Sequence, residues 1–336
     1  LDSNTTASDN TSIGYAALAT NTTGNLNTAV GTFVLDANTT GVNHTAIGYN
    51  ALSTNTTGSE NTGIGVYSLD ANTTGQKNVG CGGGTLSACT TGQQNTALGF
   101  SALAGSTTAS YNVAVGAFAL DAAVTGTKNT AVGSFALGAN TSGDRNVVVG
   151  YDALSSNTTG TLSVAVGYEA LKNSTGGLAT AVGAFAADAH TTAAYTTAIG
   201  YAALGSLTTG TANTGVGHQA GNSVVDSSHS TAVGYNALVL STGGSNTAIG
   251  SRSLDANTTG TGNTSIGVDC LGGNTTAINN TAVGNNAAKE NTTGTSNVAV
   301  GAFAMLDNTT GDNNTVLGES ALGNNTTASN NTAIGK

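Results

Sequence analysis

The sequence predicts an all-β protein built as a parallel β-solenoid, in which one short motif forms each coil. The glycine that closes segments such as Asn-Thr-Ala-Ile-Gly at 246–250 recurs twenty times, spaced by 17 residues with two spacings of 16. The residues before it are small or β-branched, and they are bounded by Asn and Gly, which is typical of short strands. We therefore expect twenty coils of about 17 residues, stacked as a single repeat array over residues 1–336.

The composition excludes several classes of protein. Charged residues make up 7% and aromatic residues 4%, Pro is absent and Gly occurs 49 times, so a conventional large core is not expected. The net charge is −10 with only seven Lys and Arg, so we expect no nucleic-acid partner and no binding to anionic lipid. No apolar segment is long enough to insert in a membrane. Three cysteines form no disulfide framework.

Each coil follows the consensus N-T-A-h-G-x-x-A-L-x-x-N-T-T-G-x-x, where h is a large apolar residue. Nearly all aromatic residues occupy one strip, one or two positions after the closing glycine. The two 16-residue copies carry Ser-Thr-Gly-Gly at 174–177 and 241–244, in place of the Asn-Thr-Thr-Gly turn. Deletions occur mainly in surface turns, so we expect this turn outside and the strand motif inside.

The large apolar residue before the closing glycine and the leucine of each coil are the predicted core. These positions are Val30, Ile47, Ile64, Leu98, Val132, Ile199, Ile249, Val300, Leu35, Leu52, Leu103 and Leu154. In-register stacking places like residues on like, so asparagine side chains are expected to form ladders along the stack.

The middle residue of the strand, the alanine of Asn-Thr-Ala-Ile-Gly, points to the opposite face from its neighbours because side chains alternate along a strand. What covers that second face is a separate question. The middle residue is small or apolar in every copy and never charged. We therefore predict an oligomer face formed by Ala29, Ala46, Ala97, Ala131, Ala248 and Ala299. A symmetric homotrimer would cover it. The alternative is that the alanines pack on the chain's own Ala-Leu segment within a monomer.

No arrangement of residues indicates catalysis, so we expect no enzyme, no catalytic, cofactor-binding or metal residues and no cofactor. The Gly-rich segment 80–84 is interpreted as a glycine-filled coil with Cys81 as a small core residue. His218, Asp226 and His229 could hold a metal, but their spacing is unspecific and repeat drift explains them better. The Asn-Thr-Thr sequon is interpreted as structural, because adjacent coils leave no room for a glycan on each.

The segments Ser-Val-Ala-Val-Gly at 163–167 and Asn-Val-Ala-Val-Gly at 112–116 and 297–301 resemble the head repeat of trimeric autotransporter adhesins. The wider pattern is similar to repeats of phage tail fibres and large bacterial surface proteins. This resemblance implies a left-handed β-roll, intertwined as a homotrimer, that serves as an adhesive head or a fibre shaft.

Together these observations predict a structural and adhesive fibre module in the extracellular space, on a cell surface or a virion. Its expected partners are copies of itself, as a homotrimer or an end-to-end fibre, and surface glycans or a host receptor. Neither end of the sequence resembles a cap, so we expect further chain on both sides. The alternative is an ice-binding solenoid, because flat arrays of threonine can order water and two threonines recur in most turns, although coils such as the one with Val224 and Val225 lose them.

Overall fold

The computed structural model describes residues 1–122 and 124–336, and its regular structure consists of twenty short β-strands. The strands are β1 (Thr11–Ile13), β2 (Thr28–Val30), β3 (Thr45–Ile47), β4 (Thr62–Ile64), β5 (Val79–Cys81), β6 (Thr96–Leu98), β7 (Val113–Val115), β8 (Thr130–Val132), β9 (Val147–Val149), β10 (Val164–Val166), β11 (Ala179–Val182), β12 (Thr196–Ile199), β13 (Thr214–Val216), β14 (Thr231–Val233), β15 (Thr247–Ile249), β16 (Thr264–Ile266), β17 (Thr281–Val283), β18 (Val298–Val300), β19 (Thr315–Leu317) and β20 (Thr332–Ile334). Two compact units, Leu1–Val166 and Gly167–Lys336, hold ten strands each. None of the described residues belongs to a helix capable of crossing a membrane.

Within each unit, consecutive strands pair in parallel and in register, one coil apart. Between β2 and β3, for example, Ala29 lies opposite Ala46 and Val30 lies opposite Ile47. The register survives the shortened copy, because Thr231 of β14 still pairs with Thr247 of β15. The missing residue is therefore absorbed outside the strands, and the predicted parallel β-solenoid with like residues stacked on like is confirmed.

The closing glycine of each strand is required by the close approach of neighbouring coils. Gly48 has a φ of 133°, and a Cβ built there would lie 2.5 Å from the carbonyl oxygen of Gly65. A side chain would thus collide with the backbone of the next coil, and the backbone conformation itself favours glycine. This explains why the closing glycine occurs in all twenty copies.

Three further positions of each coil adopt left-handed backbone conformations, and most of them are not glycine. In the second coil these are Phe33 (φ 55°), Leu35 (φ 48°) and Asn43 (φ 59°). Among the described non-glycine residues with positive φ, none is Val, Ile or Thr, although the chain is rich in all three. A β-branched side chain is the most disfavoured in this conformation. The core slot therefore takes Leu, or in deviating coils Met305, Ala187, Ala288 or Gly221.

The leucines fill the interior of the coil. Leu35, Leu52, Leu103 and Leu154 are fully buried, as predicted. The residue facing them from the strand has little room, since a Cβ added to Gly63 would lie 3.3 Å from Cδ1 of Leu52. Only a small side chain fits opposite the leucine in most coils.

The predicted orientation of the strands is wrong, because the large residue before the closing glycine faces outward. Ile47, Ile64, Leu98, Ile199 and Ile249 are 36–39% exposed, and Val30, Val132 and Val300 are partly exposed. Cys81, expected in the core, is exposed as well. The physical reason is the leucine: it occupies the interior, so alternation leaves the small residue inside and the large one outside.

The predicted oligomer face is wrong for the same reason. Ala29, Ala46, Ala97, Ala131, Ala248 and Ala299 are all fully buried within the chain. They pack against the chain's own leucines and cannot form a surface between copies. The alternative stated from the sequence, an alanine side that packs on the chain's own Ala-Leu segment, is the correct one.

The asparagine of the Asn-Thr-Thr-Gly turn also points inward, contrary to the expectation that this turn lies wholly outside. The amide nitrogen of Asn38 donates to the side-chain oxygen of Asn21 at 2.8 Å, and Asn55 donates to Asn38 at 2.9 Å. These three side chains are fully buried. The predicted asparagine ladder is therefore confirmed, and buried amides satisfied in this way are poor glycosylation acceptors.

Candidate functional site

The first candidate surface is the outward side of the strands, called here the outer sheet face. In each unit it consists of two rows, formed by the two outward residues of every strand on either side of the buried small residue. The first row is Thr or Val in every strand, such as Thr45 and Val113, and the second is Ile, Val, Leu or Cys, such as Ile47 and Val115. Neither row contains a charged residue in any of the described strands.

The hydroxyls on the outer sheet face differ from those of the turns. In the turns, Thr22 donates its hydroxyl to the carbonyl oxygen of Thr39 at 2.9 Å, and Thr39 donates to Thr56 at 3.0 Å. In the part of the chain that the structure describes, the strand hydroxyls of Thr45 and Thr62 make no such bond. The first threonine of each of these turns is thus engaged, whereas the strand threonines, which sequence reasoning had not singled out, and the exposed second turn threonines such as Thr23 and Thr40 have hydroxyls that can meet a partner or water.

The second candidate surface is the aromatic strip predicted from the sequence, called here the aromatic track. In the first unit it comprises Tyr15, Phe33, Tyr49 and Tyr67, then Phe100, Phe118, Phe135 and Tyr151, and in the second unit Tyr168, Phe185, Tyr201, His218 and Tyr235. Neighbouring ring centroids lie 5.2–6.2 Å apart, and most pairs meet edge to face. Edge-to-face contact is a favoured geometry for aromatic pairs.

The aromatic track is interrupted once within the first unit. Gly83 and Gly84 occupy the two ring positions of the fifth coil, between Tyr67 and Phe100. The exposed free thiol of Cys81 lies in the same coil, on the outer sheet face. This coil therefore offers a single reactive group at a known level of the stack.

In the second unit the continuous run of rings ends at Tyr235, and several later ring positions are polar, although Phe303 is a further aromatic residue. Arg252 occupies one of the polar positions, and its Nε and Nη2 donate to the carboxylate oxygens of Asp269 in the next coil at 2.7 and 2.8 Å. This bidentate pair is solvent-exposed, so its contribution to stability is small. The aromatic character of the track is thus confined to certain coils of each unit.

His218 and Asp226, two of the three residues that could have suggested a metal site, have separate surroundings. His218 stacks between Tyr201 and Tyr235 in the aromatic track, with ring centroids 5.2 and 5.3 Å away. Asp226 accepts hydrogen bonds from the hydroxyls of Thr208 and Thr209, which lower its pKa. Across residues 1–122 and 124–336, no group of three or more His, Cys, Asp or Glu could hold a metal ion.

Two other histidines replace asparagines inside the coils. His44 accepts a hydrogen bond from the backbone N–H of Asn61 at Nδ1, and its Nε2 lies 2.7 Å from the carbonyl oxygen of Gly58. Burial lowers the pKa of His44, and burial lowers the pKa of His190 to about 4. Both imidazoles are therefore neutral at physiological pH and serve as uncharged substitutes for asparagine.

A set of half-buried carboxylates follows the core slot and was missed from the sequence. Burial raises the pKa of Asp36, Asp70, Asp121, Asp188 and Asp255. The signal was present in the recurring Leu-Asp-Ala segments at 35–37, 69–71 and 254–256. They lie in separate coils, so they do not combine into one acidic centre.

Two comparisons with known sequences found no match. No protein-family model matches the chain, and no curated protein sequence matches it significantly. The functional argument therefore rests on the outer sheet face and the aromatic track.

Proposed function

We propose that the protein is a structural and adhesive fibre module of a cell surface or virion, located in the extracellular space, whose copies associate through the outer sheet face. The observation that carries the proposal is the second row of that face, where isoleucine, valine and leucine are exposed or partly exposed coil after coil. Contiguous apolar surface of this kind marks sites of association. Ile47, Ile64 and Leu98 belong to one such row.

A second copy of the same chain suits this surface. Since neither row contains a charge, two copies meet without like-charge repulsion, and the repeated geometry lets one surface match another coil by coil. A homotrimer around a three-fold axis would cover the row of every copy along its length. The resemblance of the strand motif to adhesin heads supports a trimer and a left-handed roll, and the resemblance to tail-fibre repeats supports a role as a shaft.

Native mass measurement tests the assembly, and Cys81 tests its arrangement. The expected mass is three times 32.4 kDa. In a parallel assembly the Cys81 thiols of all copies lie at one level, so a short bismaleimide should join two of the copies covalently. Cys81→Ser removes the crosslink and leaves the mass unchanged. A monodisperse monomer at micromolar concentration would contradict the proposal.

Ice binding is the second candidate, and one observation favours it. The first outward row of the second unit is an unbroken series of threonines over seven strands, namely Thr180, Thr197, Thr214, Thr231, Thr247, Thr264 and Thr281. They stack in register from β11 to β17. Thermal hysteresis at micromolar concentration, abolished by Thr231→Lys, would make ice binding the function. Absence of hysteresis in the native protein would eliminate it.

A further inference from the structure

We propose that the first four rings of the aromatic track, Tyr15, Phe33, Tyr49 and Tyr67, bind an extended, uncharged, β-1,4-linked polysaccharide that runs along the stack of coils. This inference rests on the proposed function, because it names the class of surface component to which an adhesive module attaches. The ligand contacts the rings in succession, one coil after another.

The spacing of these rings matches an extended sugar chain. Successive centroids are 5.4, 6.2 and 5.5 Å apart, and successive ring planes meet at 87°, 80° and 88°. Tyr15 and Tyr49 directly follow the closing glycine of their coils, whereas Phe33 and Tyr67 come one residue later. Rings in the same slot are thus two strand spacings apart, about 9.6 Å. That separation is close to the repeating disaccharide of an extended β-1,4 chain.

The rings are accessible and offer the chemistry that a pyranose face needs. Tyr15 is 73% exposed, Tyr49 43% and Tyr67 44%. The electron-rich face of an aromatic ring attracts the weakly positive C–H groups of a sugar, as it attracts other positive edges. A linear ligand that touches several such rings gains a contact from each coil.

The surroundings of the rings select an uncharged ligand with hydrogen-bonding groups. The segments 15–18, 32–35, 49–52 and 66–69 contain no charged residue. Asn50, next to Tyr49, has a buried side-chain oxygen without a partner, whereas its amide nitrogen is not buried and makes no hydrogen bond. That nitrogen belongs to the residue that follows Tyr49 in the sequence, and it can serve as a donor to a sugar oxygen.

Isothermal titration with cellohexaose tests the inference, with maltohexaose as a ligand of the same composition and a curved, α-linked chain. We expect the native protein to bind cellohexaose and not maltohexaose. Tyr49→Ala should weaken cellohexaose binding about tenfold or more, which corresponds to a loss of about 1.4 kcal/mol of binding free energy. The fold tolerates alanine at the Tyr49 position, because Ala117 and Ala184 occupy the equivalent position in other coils. Asn50→Ala should weaken binding less, and Ala16 and Ala202 show that alanine fits there too.

The matched control is Tyr111→Ala. Tyr111 lies in the same unit and is 48% exposed, but it belongs to a different slot, outside the aromatic track. Its removal should leave cellohexaose binding unchanged. Equal binding by native protein and Tyr49→Ala, or no binding of cellohexaose at millimolar concentration, would overturn the inference.

Native mass measured on the same sample separates this inference from the proposed assembly. An oligomer that does not bind cellohexaose would overturn only the saccharide site. A monomer that binds cellohexaose through Tyr49 would support the saccharide site and overturn only the assembly.

Discussion

Ala248 and Ile249 are consecutive residues of β15 that face opposite sides of the strand: Ala248 is fully buried, and Ile249 is 37% exposed. The same relationship holds for Ala46 and Ile47 in β3. The smaller side chain is inside because the leucine row has already filled the interior.

Replacement by aspartate should therefore have a large effect on stability at Ala248 and a smaller one at Ile249. Ala248→Asp buries an unpaired charge and should lower the free energy of unfolding by about 3 kcal/mol or more. Ile249→Asp leaves the charge in contact with solvent and should cost the dissociated chain about 1–2 kcal/mol, less than Ala248→Asp, through lost apolar contact and the poor strand propensity of Asp. Urea unfolding at a concentration where the chain is dissociated measures both.

The same Ile249→Asp variant tests the proposed role of the outer sheet face. It should lower the native mass toward that of one chain, because copies would meet with a charge in the apolar row. Thr259→Asp, at an exposed position of an Asn-Thr-Thr-Gly turn in the same unit, serves as its control. An Ile249→Asp protein that retains the mass of the native assembly would place the contact between copies elsewhere.

The left-handed conformation of the core leucines predicts an unusual sensitivity to branching. Leu103 is fully buried with a φ of 55°. Leu103→Ile retains the volume but places a β-branched residue in this conformation, so it should cost about 2 kcal/mol or more. Leu103→Met should cost less than about 1.5 kcal/mol, since Met305 occupies the same slot with a φ of 53°. Equal loss of stability in the two variants, measured by thermal or urea unfolding, would contradict this explanation.

Exposed left-handed positions should be stabilised by glycine. Lys77 is exposed with a φ of 57°, and Gly262 occupies the corresponding slot of another coil with a φ of 70°. Lys77→Gly should raise the free energy of unfolding by about 1 kcal/mol, because it removes the left-handed penalty. Gln76→Gly, at the preceding exposed position with ordinary φ, should instead lower it by about 0.5–1 kcal/mol. A loss of stability in both variants would refute the prediction.

The buried histidines predict a loss of stability in acid. The pKa of His190 falls to about 4 in the folded chain, whereas an unfolded histidine has a pKa of about 6.5. Between these values the unfolded state binds more protons, so stability falls as the pH is lowered from about 6.5 to 4. His190→Asn, which restores the residue common in this slot, should recover roughly 2–3 kcal/mol at pH 4.

Urea unfolding at pH 7 and at pH 4 measures this difference. His229→Asn is the matched control, because it replaces an exposed histidine and retains the buried His190, so it should keep the loss in acid. If His190→Asn shows the same loss in acid as the native protein, the buried imidazole is not its cause.

The parts of this fold that depend on the repeat alone were predictable from the sequence. Spacing predicted the coils, β-branched clusters predicted the strands, and the recurring Asn21, Asn38 and Asn55 predicted a ladder. The aromatic track was likewise visible as a strip, although its ring geometry was not.

Which strand residues point inward was not predicted correctly, because their orientation depends on where the leucine side chain lies. Size suggested that Ile47 belongs in the core, but the left-handed backbone at Leu52 turns that leucine inward and fills the space. A signal was available: the leucine slot accepts Met305 and Ala187 but no Ile or Val in any coil. That exclusion indicates positive φ, and it would have identified the leucine row as the element that fixes the interior.

The hydrogen bonds between coils have a consequence for how such a chain can change its length. The amide of Asn38 reaches back to Asn21, and that of Asn55 reaches back to Asn38, each at a separation of 17 residues. A coil added by in-frame duplication would meet equivalent partners above and below, so no side chain elsewhere need be repacked. Recombination between neighbouring copies can therefore lengthen or shorten the protein one coil at a time, while a deletion of part of a coil must be absorbed in a turn, as at residues 241–244.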